Sequence, residues 1–515
     1  MSQEQNQAEK TASPTSLVQR VDRYFEITKR KSTFKAEIVA GIVTFLAMCY
    51  ILTVNPNQFF YNGTDNPQWS AVFMSTAFGA VIGTLLMAFL AKLPLAQAPG
   101  MGLNSLVGSI IGGGVGAYAY GASFSLGNAM LMILISGVLF LLLSFISIKG
   151  RSLRQLIFDG IPEAIRKAIP VGIGLFIAFI GFQNAKVIVD NKYTLVDLVA
   201  FSGFFTGDSV NVQNAVVCLI GLIVIAVLSH FKVKGAVIFG ILAGTIAGIP
   251  LGVTNLSVIA GNTDGITWKF WENFANYFSG ENSVFAICFT EGFNFPPKTL
   301  STVIMLIITM CMIDMFDTMG TCVGCCSAAG LLDEKGMPLN YNKIMYSDSI
   351  ATCAGAIMGT STVTTFVESG AGIAAGGKTG LTALVTAIMF ALSIFLLPLF
   401  AMIPGAAAAS ALVYVGVLML KGVKEIDFSD VRTAVPSFLA IAIMPLGYSI
   451  TKGIGMAILS YVVISAICYL CEILKYADNK VKGLDCGEKP KCEISVVTAV
   501  IALLFIVYFF VPTVL

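Results

Sequence analysis

Charge is scarce in this chain. Asp, Glu, Lys and Arg make up 12% of its 515 residues, against 56% hydrophobic. A soluble domain carries roughly twice that share of charge, so a water-facing globular fold is excluded. Histidine is scarcer still: His230 stands alone, and any proton relay must therefore be built from carboxylates. No apolar core precedes a cleavage site in the N-terminal "MSQEQNQAEKTASPTS". That stretch is expected to be a disordered cytoplasmic tail rather than a signal peptide, leaving the first span to direct insertion. Twelve cysteines are present, yet most lie in or beside apolar runs, where a thiol acts as a small hydrophobe, and they form no disulfide framework. "CVGCC" (Cys322 to Cys326) falls on a predicted helix without a redox-domain context, and Cys486 and Cys492 in a Lys-rich loop are an equally weak pointer to metal.

What is abundant is apolar sequence in runs of about 18 to 25 residues, each long enough to cross a hydrocarbon core as a helix. A net charge of +2 implies no nucleic-acid partner, because a membrane protein sorts its charges by side. "KRKSTFK" precedes the first span and the following loop, "YNGTDNPQWS", has no Lys or Arg, which puts the N-terminus inside. Placing Lys92, Lys149 to Lys167, Lys232 and Lys234, Lys335, Lys378, Lys421 and Lys424, and Lys475 to Lys491 on that same side requires fourteen crossings. The segment Ile494 to Leu515 is apolar enough for a further span, a hairpin partner or a surface helix.

The chain therefore divides into a cytoplasmic tail (1–35), seven spans (36–258), an external connection (259–298), seven more spans (299–473), and a Lys-rich loop with the final apolar segment (474–515). Seven is odd, so two alike halves must be inverted relative to each other. The third span, "PLAQAPGMGLNSLVGSIIGGG", and the tenth, "TSTVTTFVESGAGIAAGG", hold corresponding places and are the two most broken by Gly, Pro and hydroxyls. Paired broken helices point to a binding site near the bilayer midplane.

Most acids fall in predicted loops or at span ends, whereas Asp314, Asp317 and Glu368 fall within predicted spans. A carboxylate there costs a few kcal/mol and normally faces a cavity or a partner. Glu368 could instead cap the half-helix that follows it. Asp314, three residues from Asp317 on one broad helix face, reads as substrate contact or as support. Asn104 has donor and acceptor capacity suited to a planar heterocycle, or it could serve as a cap at a Gly-rich kink. Gly102 lets backbone approach a ligand. Thr321, Ser369 and Phe366 are supporting candidates.

"PGMGLN", "DMFDTMGT" with "AAGLLDEKG", the run "DSIATCAGAIMGTSTVTTFVESGAGIAAGGKTGLTA", and "LVYVGVLML" with "AVPSFLAIAIMPLGYSI" resemble the AzgA-like purine permeases, the adenine/guanine/hypoxanthine branch of the nucleobase-ascorbate transporter superfamily. The resemblance covers nearly the whole chain. It implies an all-α polytopic membrane protein of fourteen helices in two inverted seven-helix repeats, with core and gate domains and extended pieces in the third and tenth helices flanking the substrate. It also implies proton symport of a purine base by alternating access, with no cofactor or metal. Motif by motif, it places the family's substrate and proton-coupling acids on Asp317 and Glu368 and its third-helix polar contact on Asn104. Its partners would be the purine, the lipid bilayer and a second copy of the chain in a homodimer. Where relatives carry an aromatic-rich stretch after "GMGLN", this chain has "SLVGSII", and Phe366 is either a substitute stacking partner or a core-packing residue.

Overall fold

The computed structural model describes residues 17–60, 63–111, 124–148, 151–152, 160–191, 193–206, 210–233, 235–257, 266–297, 299–333, 337–482, 490–492 and 494–510. Most of the expected N-terminal tail, the glycines after "SLVGSII" and Cys486 lie outside them. Nine described helices are long and apolar enough to cross a membrane. The chain is a multi-pass membrane protein.

After the short α1 (Leu17–Phe25), the first crossing runs from Phe34 to Phe59 in two helical pieces joined at Cys49 and Tyr50, both still in helical conformation. Helix α2 (Phe34–Met48) starts where the Thr33 side chain accepts from the Ala36 N–H, and α3 (Ile51–Phe59) follows after Cys49 and Tyr50. Pro56 within α3 can donate no hydrogen bond and crowds the preceding turn. Helix α4 (Trp69–Leu86) widens into a π-turn and ends at Lys92, a left-handed residue at φ 56°. The chain then runs extended through β1 (Gln97–Pro99) and turns into α5 (Met101–Ile110).

The second half repeats this device. Helices α11 (Leu300–Ala329) and α12 (Tyr341–Met358) precede β4 (Val363–Thr365) and the short α13 (Ser369–Ala374). The sequence explains the breaks. "TSTVTT" is β-branched and hydroxylated, a composition that loses rotamer freedom in a helix and offers competing hydrogen bonds, and Pro99 forbids helix in the residue before it. The two extended pieces satisfy each other as an antiparallel pair, Gln97 opposite Thr365 and Pro99 opposite Val363, as buried backbone must.

The remaining elements include α6 (Leu126–Phe145), α7 (Glu163–Asn184), the β2–β3 hairpin (Ile188–Asn191, Leu195–Leu198), α8 (Val210–His230), α9 (Ala236–Gly248), α10 (Phe270–Ser279), α14 (Gly380–Ser393), α15 (Gly405–Met419), α16 (Val431–Leu446), α17 (Ile450–Val481) and α18 (Val496–Phe510). They sort into two packed groups. One joins α2, α4, α6, α11, α12 and α14 around the β1–β4 pair, and the other joins α7, α8, α9, α15, α16 and α17. The final apolar segment is helical as α18 and packs on α17, where Gly455 receives the rings of Phe505 and Phe509.

At one end of the molecule the Arg30 guanidinium donates to the carbonyls of Lys92 (2.8 Å) and Lys378 (3.0 Å), bringing together three segments expected on one side. At the other end Trp69 donates to Asn57 (2.7 Å), and α10 lays Tyr277 on Phe78 with ring centroids 5.3 Å apart.

Half-helix α5 is seated against α3 through Gly108, where an added Cβ would overlap the Gln58 carbonyl oxygen. Backbone cannot yield as a side-chain tip can. We expect Gly108→Ala to cost about 1–3 kcal/mol, read as a lower thermal midpoint of the purified protein in detergent.

Candidate functional site

A cavity of about 540 Å³ lies between the two helix groups. One wall is formed by the broken segments and α11, through Met101, Gly102, Asp317, Thr321 and the run Thr364 to Glu368; the other is formed by α7 and α15, with Ile173, Ile177 and Val415. Glu163, Arg166, Lys167 and Glu425 also line it. Its size suits a small organic ligand.

Helical spacing decides what α11 presents. Asp317 and Thr321 are one turn apart and both line the cavity. Asp314 and Thr318, likewise one turn apart, are turned toward α12, where Thr352 donates to Asp314 Oδ2 (3.2 Å) and Thr318 donates to Asp348 Oδ1 (2.6 Å). Strand alternation does the same for β4. Thr364 faces the cavity with its hydroxyl unpartnered, while Val363 packs against α4, where a Cβ on Gly83 would come within 2.6 Å of it. Thr365 also reaches the cavity wall and accepts from Gln97 Nε2 (3.4 Å).

Glu368 sits at the β4–α13 junction. Its Oε1 accepts from the Tyr50 hydroxyl at 2.5 Å, while Oε2 is buried without a partner. Asp317 lines the same cavity, close enough to Glu368 for their charges to interact. An unmatched buried acceptor is costly unless water, a ligand or a proton fills it. The arrangement can therefore receive hydrogen-bond donors from a planar polar ligand, with Phe366 in the same wall.

The structure thus brings Glu368, Asp317, Gly102, Thr321 and Phe366 to one cavity, and leaves three of the candidates behind its wall. Asn104 is fully buried, accepting from the Ser361 hydroxyl and donating to the Pro99 carbonyl (3.4 Å), so it locks the two broken segments together. Ser369 accepts from the Ala96 N–H (3.0 Å), and Asp314 belongs to the α11–α12 seam.

Sequence reasoning missed Tyr50, Thr364, Gln97 and two buried acids. Asp348 is not at a span end but mid-way along α12, fully buried and also bonded by Gln97 Nε2 (3.3 Å). Glu37 is fully buried in the first turn of α2. The polar stretch "TVNPNQ" after Tyr50 was the available signal, because Pro inside an apolar run marks a broken helix. Cys322, Cys325 and Cys326 are free and buried.

A pair of broken, strand-linked membrane segments, one of which brings Glu368 beside Asp317 of α11 in a cavity between two helix bundles, is the architecture of a multi-pass membrane transporter. The chain belongs to the Permease family, whose profile matches residues 35–456, and so is a transporter and not an enzyme. It is 34% identical to the adenine permease AdeP of Escherichia coli, over 86% of this chain and 90% of that protein. It is also 34% identical to the guanine/hypoxanthine permease PbuO of Bacillus subtilis, over 86% and 94%. Its fold resembles the transmembrane domain of a cyanobacterial bicarbonate transporter, BicA, with a TM-score of 0.54 at 14% identity, covering 82% of this chain and 97% of that one.

Proposed function

We propose that the protein is a secondary active transporter that carries purine bases together with protons by alternating access. The observation that carries this reading is the unpartnered Oε2 of Glu368 beside Asp317 in the cavity wall. A purine offers N–H donors on a flat ring, and a carboxylate with a free oxygen is the matching acceptor. The relatives named for adenine and for guanine and hypoxanthine support that substrate class.

The coupling follows from charge. Two carboxylates lining one cavity repel, and taking up one proton removes that repulsion. A bare charge is costly to move through a low-dielectric barrier, so the site crosses when both proton and base are aboard. With the final helix α18 set apart, the nine long helices counted with α5, α9, α16, α12 and the β4–α13 segment make fourteen membrane elements among the described residues. They fall seven to each side of the connection 259–298, as two inverted repeats would. By the expected charge sorting, the cavity lined by Arg166 and Lys167 opens to the cytoplasm. A separate recess of about 730 Å³, lined by Asn57, Gln58, Lys186 and Tyr448, is then the external vestibule of an inward-facing state. An anion carrier of similar fold is disfavoured by the acid at the tenth-segment break.

The test is uptake of labelled hypoxanthine into proteoliposomes, with and without a proton ionophore, against a panel of unlabelled bases. Competition by adenine or guanine and collapse of accumulation by the ionophore are expected. Uptake indifferent to every purine, or to the ionophore, would overturn the reading.

A further inference from the structure

Tyr50 lies mid-way along the first crossing, between α2 and α3. Tyr50 is 1% exposed, in an apolar setting where a phenol needs a partner. Its hydroxyl lies 2.5 Å from Glu368 Oε1 and 3.7 Å from the sulfur of Met101, the first residue of α5. One hydroxyl therefore touches both broken segments at the point where each turns from extended chain into half-helix. Against an ionised carboxylate the phenol can only donate, so it claims one oxygen of Glu368 and leaves the other, Oε2, bare.

We propose that Tyr50 is a positioning residue that makes Glu368 one-sided, holding Oε1 so that proton and cargo compete for or share Oε2 alone. A carboxylate free to rotate would offer either oxygen and bind its donor with less orientation. One pinned by a charge-assisted hydrogen bond presents a single acceptor in a fixed direction. The other titratable or charged groups around Glu368 are Asp317 and Cys325 on α11, with Asp348 of α12 behind Asp317. Across the cavity stand Glu163, Arg166 and Lys167 of α7 and Glu425 after α15. Among the described residues Tyr50 is the side-chain partner that a hydrogen bond gives Glu368.

The assignment rests on the transport reading for its cargo, and the experiment separates the two. Tyr50→Phe removes one oxygen and keeps the ring. In proteoliposomes its KM for hypoxanthine should rise about tenfold with kcat less affected, the loss expected for one hydrogen bond to a charged group. The pH dependence of uptake should move with it. Tyr50→Phe combined with Glu368→Gln should be no worse than Glu368→Gln alone, because the tyrosine acts through the acid.

Infrared difference spectra of the empty purified protein across a pH step give a reading independent of cargo. The carboxyl band that disappears in Glu368→Gln should shift in frequency in Tyr50→Phe. A shifted band with no purine binding by wild type would overturn the substrate class and keep the role of Tyr50. An unshifted band, or additive losses in the double variant, would overturn that role. A conventional thermal midpoint for Tyr50→Phe excludes misfolding as the cause.

Discussion

Glu368→Gln is expected to abolish accumulation of hypoxanthine against its gradient and to lower kcat/KM by about 100-fold. The substitution is nearly isosteric, and its amide oxygen can still accept from Tyr50 at the position of Oε1. What changes is the other end: an NH₂ donor replaces the bare acceptor Oε2, and the group no longer exchanges a proton. Losing a charged acceptor for a ring N–H costs about 1.5–3 kcal/mol, or about 10- to 100-fold, and an N–H facing an N–H adds to it. The remaining uptake should be downhill and insensitive to an imposed pH gradient. Flux of labelled hypoxanthine at matched and unmatched pH measures both effects. Retained proton-driven accumulation would show that coupling resides elsewhere in the cavity, with Asp317 the next candidate.

Glu37→Ala is expected to be the most destabilising single change, by about 3–5 kcal/mol. The Glu37 carboxylate is fully buried and accepts from the backbone N–H groups of Lys378 (3.0 Å) and Thr379 (3.2 Å) and from the Thr382 hydroxyl (2.6 Å). It thus joins the start of α2 to the start of α14, across the end of the broken segment that carries Glu368. Alanine removes the acceptor of the Lys378 and Thr379 N–H groups and leaves the Thr382 hydroxyl only the Glu37 carbonyl (3.3 Å), each lost bond costing about 1–3 kcal/mol. The cavity it leaves in lipid-embedded protein offers little water to replace them. The thermal midpoint in detergent should fall by more than that of Gly108→Ala, and Glu37→Gln should recover part of the loss because its carbonyl still accepts. Equal midpoints for wild type and Glu37→Ala would contradict this account.

Much of the fold was legible because membrane insertion is governed by local quantities. Hydropathy over about 20 residues selects spans, and the β-branched hydroxyl run "TSTVTT" and the pair Pro99–Gly100 forbid helix wherever they are placed. The position of the two breaks, and the acid beside one of them, could be read from the chain alone. Asp348 was misread because α12 is broadly polar, with Tyr346, Ser347 and Ser349 around it, and by hydropathy it resembles a span end. Its burial depends on α11 and β1 bringing Thr318 and Gln97 against it. Asn104 was chosen for its chemistry, which was correct as chemistry; the partners that use it are Ser361 and Pro99.

The sequence by itself determined that this chain lives in a bilayer, that its third and tenth segments are broken, and that carboxylates enter the membrane at Asp314, Asp317 and Glu368. Those properties follow from composition and nearest neighbours. Only the tertiary structure decided which acids share the cavity. The deciding partners are far apart in sequence, Tyr50 and Glu368 by 318 positions, and a carboxylate's role is set by whatever lies within about 3 Å of its oxygens. The break places Glu368 in the membrane; the hydroxyl of Tyr50, arriving from the first crossing, leaves it one open oxygen.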